Sequence, residues 1–317
     1  MIAESKYTEY SPYPIDVILF SHIYLNLFVA GSYFLETKNK RKGHLFLYEV
    51  DYSGKTIKLI QNLECDAILD MKWISNSQEK LLITNSTGGI SIYELLGPCN
   101  PILRCIWFKQ IFDSNTLILS VSISSIRKSA IVSTSMGDLC IFDLNSLQVL
   151  QKWKAHELEC WTACYNIDSS AIFSGSDDCT FKIWDIRSSA QPLFTNTKSH
   201  EAGVISFISF DKKLITGSFD DHIRLFDSRD FSKNVWKENM SSPWRLVQHS
   251  ENQFRILGCL MYEGAKLFDL DILENDVYKV RVYKEFVEHE SIVYAGDWYN
   301  EQEVVTCSFY DKKICLW

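Results

Sequence analysis

Three residue types in this chain have the chemistry of hydrolysis. A histidine titrates near neutral pH and can act as a base. A serine beside it becomes a nucleophile once its proton is taken, and an aspartate can hold the histidine in one orientation. His156 and Asp178 stand as such a pair on paper, and His222 follows Asp220 and Asp221 directly. Ser176, Ser218 and Ser308 occupy corresponding places beside aspartates. The Gly-x-Ser-x-Gly pattern of a nucleophile elbow is absent. The 10 cysteines include no CxxC pair and no Cys/His pattern with zinc spacing, so no metal site is expected from them.

Whether any of these residues is catalytic depends on the elements that carry them. Apolar runs end in an aromatic-acidic pair at Phe142-Asp143, Trp184-Asp185, Phe226-Asp227 and Phe268-Asp269, with steps of 42 residues. The register extends to Tyr48, Tyr93 and Trp317. Seven units of about 40–45 residues have the spacing of four-stranded propeller blades. Inside the fourth unit, Ala163 to Ile167, Ala171 to Ser174 and Thr180 to Trp184 read as strands, with turn chemistry at Ser-Gly-Ser-Asp-Asp 174–178. The expected fold is therefore all-β: a seven-bladed WD-repeat β-propeller in a single domain, residues 1–317.

WD blades are tied by a buried network of His, Ser/Thr, Asp and Trp. In the fourth unit His156, Ser174, Asp178 and Trp184 fill every place. The fifth has His200, Thr216 and Asp220 but Phe226 for the Trp, and the seventh has His289, Asp311 and Trp317 with Cys307 at the hydroxyl position. His156, Asp178, His200, Asp220 and Asp311 are accordingly read as structural, because such groups satisfy each other and fix one packing. The serines at 176, 218 and 308 are read as turn residues. Glu157, Glu201 and Glu290, each after a network histidine, read as a solvated rim. His222 lies outside the network and is the candidate base.

The seventh unit runs out on its third strand at Trp317, and the outer strand must come from elsewhere. Residues 1–13, with the segment Lys6 to Tyr13, are expected to supply it and so close the propeller. The formal charge of -8, from 40 acidic and 32 basic residues, argues against a nucleic-acid partner. The apolar stretch Ile15 to Ala30 is broken by Asp16, His22 and Asn26 and reads as two core strands, not a membrane span. Cysteines inside apolar runs point to a reducing, cytoplasmic setting.

Several segments go beyond the generic repeat. They are Val-Ala-Gly-Ser-Tyr-Phe-Leu at 29–35, Gly-His-Leu-Phe-Leu-Tyr at 43–48, Ala-His-Glu at 155–157 with Trp161, and Thr-Gly-Ser-Phe-Asp-Asp-His at 216–222. Trp-Arg-Leu at 244–246, Tyr-Ala-Gly-Asp-Trp at 294–298 and Cys-Ser-Phe-Tyr-Asp at 307–311 follow. In this order they resemble the diphthine methylesterase family of the diphthamide pathway. The resemblance implies a carboxylic ester hydrolase that demethylates diphthine methyl ester on translation elongation factor 2, with no metal or organic cofactor. The substrate would carry a trimethylammonium group, for which aromatic faces are suited. On that basis Trp244, Arg245, Tyr294 and Tyr310 are the expected substrate contacts. The alternative is a WD-repeat adaptor that binds a protein partner without catalysis.

Overall fold

The structure, a computed structural model, describes residues 1–37, 40–74, 79–97, 100–187, 191–273 and 277–317. These residues form strands, turns and loops, and no helix among them is long and apolar enough to cross a membrane. The chain divides into two compact units, Met1–Ile118 with Glu285–Trp317, and Leu119–Lys284. The fold class is that of a seven-bladed β-propeller; among the described residues its sheets are antiparallel except that Ile2–Ala3, within the segment expected to serve the last blade alone, pairs in parallel with Glu285 and Phe286.

In the first unit, blade 1 begins with strands Ile15–Phe20 and Leu27–Ser32, the two core strands expected there. Blade 2 spans Ile68–Ile74, Lys80–Asn85, Gly89–Leu96 and Ile102–Gln110. Blade 7 consists of Val293–Trp298, Val304–Ser308 and Lys313–Leu316, and its outer strand is N-terminal: Tyr7–Tyr10 pairs antiparallel with Lys313–Leu316, Tyr7 opposite Leu316. Trp317 then stacks on Phe286 with ring centroids 4.9 Å apart. Alternation places Phe20, Phe28, Phe46, Tyr48, Val305 and Leu316 in one buried cluster. The N-terminal strand covers donors and acceptors that an edge would leave open.

In the second unit, blade 4 comprises Thr162–Tyr165, Ala171–Gly175, Phe181–Asp185 and Phe194–Asn196. Blade 5 comprises Val204–Phe210, Lys213–Ser218, His222–Asp227 and Trp236–Asn239. Blade 6 opens with Pro243–Gln248 and Arg255–Leu260. Ile131, Ile141, Tyr165, Ile172 and Trp184 pack as one core cluster, and Phe173, Phe181, Leu214 and Phe226 as another.

A feature invisible in the repeat pattern recurs at the start of the first strands. The register to the second strand slips by one residue at Asp16, Leu69, Ile205, Trp244 and Tyr294. Such a bulge leaves its residue outside the ladder and re-aims the side chain. Two of the four expected substrate contacts, Trp244 and Tyr294, thus occupy equivalent bulges.

The networks follow the expected residues in blade 4 and depart from them in blade 7. His156 is 2.9 Å from Asp178 Oδ2 through Nδ1 and 2.8 Å from Ser174 Oγ through Nε2, and the Trp184 indole donates to the same Ser174 Oγ at 2.8 Å. In blade 7 the hydroxyl is not missing. Thr306 Oγ1 accepts from the Trp317 indole at 2.8 Å and lies 2.7 Å from His289 Nε2, while Ser308 Oγ meets His289 Nδ1 at 2.7 Å. The position moves from 307 to 306 because the turn before the third strand is longer in blade 7, Phe309–Lys312, than in blade 5, Phe219–Asp221.

Candidate functional site

The serines do not present a nucleophile. Ser176, Ser218 and Ser308 are all fully buried, and each bonds locally: Ser176 Oγ accepts from the Asp178 amide, Ser218 Oγ donates to the Ala202 carbonyl, and Ser308 is held by His289. Burial also pushes the His289 pKa down to about 4. Glu157, Glu201 and Glu290 are exposed.

His222 opens the third strand of blade 5, half-buried. Its Nδ1 lies 2.5 Å from the Asp220 carbonyl oxygen. A carbonyl only accepts, so Nδ1 carries the proton in the neutral ring and Nε2 keeps a lone pair. Asp220 Oδ1 also lies 3.5 Å from this Nδ1, but its carboxylate is bound more closely by other groups. Arg224 Nη1 and Nη2 bind its two oxygens at 2.9 and 2.7 Å, and the Glu201 amide donates to Oδ2 at 2.9 Å. Burial raises the Asp220 pKa, but Arg224 and the Glu201 amide outweigh it and hold the group ionised.

The turn that precedes His222 carries Phe219, and this ring meets two indoles. Phe219 and Trp161 are 6.2 Å apart at 84°, Phe219 and Trp244 5.8 Å at 45°, and Trp161 and Trp244 5.7 Å at 66°. Three successive blades thus contribute one ring each, and all three rings are half-buried. The Trp161 indole donates to Asp177 Oδ1 at 3.2 Å. Gly203 makes room for this approach: a Cβ there would lie 2.6 Å from Asp177 Oδ1 and 3.2 Å from Phe219 Cδ2. On the other side Asp221 Oδ1 accepts from the Ser242 amide and hydroxyl at 2.9 and 2.6 Å, fixing the segment that leads into Trp244. Arg245 follows Trp244, half-buried and opposite Cys259.

The two tyrosines belong to the first unit. Tyr294 and Phe309 are 4.7 Å apart, Phe309 and Tyr310 5.1 Å, and Tyr33 and Phe309 6.3 Å. Burial, then the nearby Asp16, keeps the Tyr294 hydroxyl protonated well above the usual phenol range. Tyr310 is 69% exposed. The residues singled out in the sequence therefore fall into two sets: His222, Trp244 and Arg245 with Phe219 and Trp161, and Tyr294 with Tyr310.

Asp177 and Gly203 were not legible as site residues. Asp177 sits within a generic turn sequence, yet it occupies the place just before the network aspartate, where blade 5 has Phe219 and blade 7 has Tyr310. Variation at that one place was the available signal.

Among known families, the WD domain, G-beta repeat matches residues 147–185 and 191–227. The diphthine methyltransferase of Schizosaccharomyces pombe is 34% identical over 98% of this chain and 97% of its own length. The protein of that name from Saccharomyces cerevisiae is 26% identical over 92% of each chain. The mouse protein of that name is 30% identical over 80% of this chain and 58% of its own. A chain in the crystal structure of the mitotic checkpoint complex superposes with a TM-score of 0.75 at 16% identity, covering 99% of this chain and 91% of that one; this likeness is one of fold.

Proposed function

Since the chain belongs to the diphthine methyltransferase family, we propose that it acts on the methyl ester of diphthine on translation elongation factor 2, as an ester hydrolase and not as a methyl donor or acceptor. Water adds to the ester carbonyl carbon, the bond to the methoxy oxygen breaks, and the products are a carboxylic acid and methanol. The observation that carries the hydrolytic reading is His222: its Nδ1 is occupied by the Asp220 carbonyl, so Nε2 is the nitrogen able to take a proton from water and return it to the departing methoxy oxygen. Trp244 is assigned to the substrate head and Arg245 to its carbonyl or carboxylate, through forked donors. Tyr294 and the exposed Tyr310 are assigned to contacts with the substrate protein.

We further propose that residues 1–317 behave as one domain. The nine described cysteines are free thiols, which fits work in the reducing cytoplasm beside the elongation factor. No cofactor or nucleic acid takes part in this reading.

The test is incubation of the purified chain with methyl-esterified elongation factor 2 in 18O water. Methanol release with one 18O in the new carboxylate is expected. Loss of the methyl group to another acceptor without methanol would support transfer. Tight binding of the elongation factor with neither product would support the adaptor reading.

A further inference from the structure

We propose that Trp161, Phe219, Trp244 and Asp177 form a binding site for a quaternary ammonium group. The inference rests on the reading above, in which diphthine supplies a trimethylammonium head, and it assigns that head to particular residues. The three centroids are 5.7 to 6.2 Å apart, and the planes meet at 45° to 84°. No two rings stack in parallel. Centroids this close allow one cation to come within the ~6 Å reach of cation–π attraction for all three rings at once.

Charge points the same way. Asp178 is hydrogen-bonded to His156 and Thr180, and Asp220 is ion-paired with Arg224. Asp177 accepts the neutral Trp161 indole and, among the described residues, has no cationic partner. Its negative charge is therefore uncompensated beside the rings. A quaternary ammonium has no proton to donate, so ring faces and a nearby carboxylate suit it better than directed acceptors do.

The walls are also held before any ligand arrives. The Asp177 amide donates to the Glu159 carbonyl and the Phe219 amide to the Gly203 carbonyl. Ser242 is clamped by Asp221 two residues before Trp244. Rings fixed in advance lose little freedom on binding.

The experiment titrates choline into the full chain, followed by tryptophan fluorescence and NMR, beside its neutral isostere 3,3-dimethylbutan-1-ol. Choline is expected to bind at least about tenfold more tightly than the isostere. Trp161→Leu and Phe219→Leu should each weaken choline binding about tenfold. Asp177→Asn should weaken it about threefold and leave the isostere unchanged. Melting curves confirm that each variant is folded, and Asp177→Asn, which keeps the shape of the site, guards against a general packing effect. Equal binding of choline and isostere, or choline binding indifferent to all three substitutions, overturns the proposal. Should choline behave as expected while authentic substrate yields no methanol, the ammonium site stands and the hydrolase reading falls. Should methanol be released with unchanged KM by Phe219→Leu and Asp177→Asn, the hydrolase reading stands and the ammonium site falls.

Discussion

In blade 4, His156 engages Asp178 with one nitrogen and Ser174 with the other, and Trp184 completes the set. In blade 5 the equivalent His200 reaches Thr216 at 2.9 Å, but its buried Nδ1 has no hydrogen-bond partner among the described residues. Asp220 has turned instead to Arg224, which is 1% exposed and stands where blade 4 has Lys182. Lys182 sends its ammonium to the Ala155 carbonyl at 2.7 Å. Two repeats that share the network His, hydroxyl and Asp thus stabilise their turns differently. Blade 4 uses a hydrogen-bonded relay around the Asp178 carboxylate and blade 5 a buried ion pair. Blade 5's turn can then carry Phe219 and His222, residues with no place in the repeat network.

The largest effect should come from breaking the ion pair. Arg224→Met leaves Asp220 ionised, buried and without its cation, at a cost of about 3–5 kcal/mol. The double variant with Asp220→Asn should recover much of that loss, since no charge then remains buried. Lys182→Met in blade 4 should cost only about 1 kcal/mol, one hydrogen bond to a carbonyl. Thermal or urea unfolding of the four proteins checks the order, and equal losses at 224 and 182 would remove the distinction between the blades.

Next in size is the histidine itself. His156→Ala deprives Asp178 and Ser174 of their partner and should cost about 2–3 kcal/mol. His200→Ala should cost about 1 kcal/mol less, because Asp220 keeps Arg224. The same wiring predicts a dependence on pH. Burial, then Arg224, holds the His200 pKa down at about 3, and burial lowers that of His156 against the pull of Asp178. The unfolded chain therefore binds more protons below about 6.5, and stability is lost as pH falls from there towards 3. The slope should be about 1 kcal/mol per pH unit for each such histidine. His200→Gln should flatten the curve between pH 6.5 and 4, leaving the part owed to His156 and His289. An unchanged slope would mean that His200 titrates in the fold as it does in the unfolded chain.

The repeat itself was plain in the sequence because its 42-residue step and aromatic-acidic pairs come from strands buried on both faces. The N-terminal partner of blade 7 was legible because an edge strand demands cover. Arg224 was not, since an arginine in an alternating strand reads as a solvent-facing residue until its aspartate is placed. The hydroxyl of blade 7 was assigned to Cys307 by counting back from Trp317, and a longer turn moved it to Thr306. Trp244 and Tyr294 were singled out by type, but their shared bulge depends on a slip in register that no residue pattern announces. The convergence of Trp161, Phe219 and Trp244 was hidden for another reason: it joins three blades, and repeat spacing describes each blade alone.

The smallest effect on stability, and the sharpest contrast between blades, belongs to His222. Its side chain is 26% exposed and its bond is to a backbone carbonyl, so His222→Ala should change stability by no more than about 0.5 kcal/mol. Methanol release should nevertheless fall about 100-fold, the usual scale for losing a general base. His222→Gln tests the assignment further. Its amide nitrogen can replace the donor to the Asp220 carbonyl, but no lone pair of comparable basicity takes the place of Nε2, so release should stay low. His156→Ala should show the opposite pattern, with a lowered melting point and activity lost only in proportion to the unfolded fraction. Full-rate release from a well-folded His222→Ala protein would reject His222 as the base and return the choice of base to the remaining residues of the site, with ester hydrolysis itself still to be judged on methanol release by the wild-type chain.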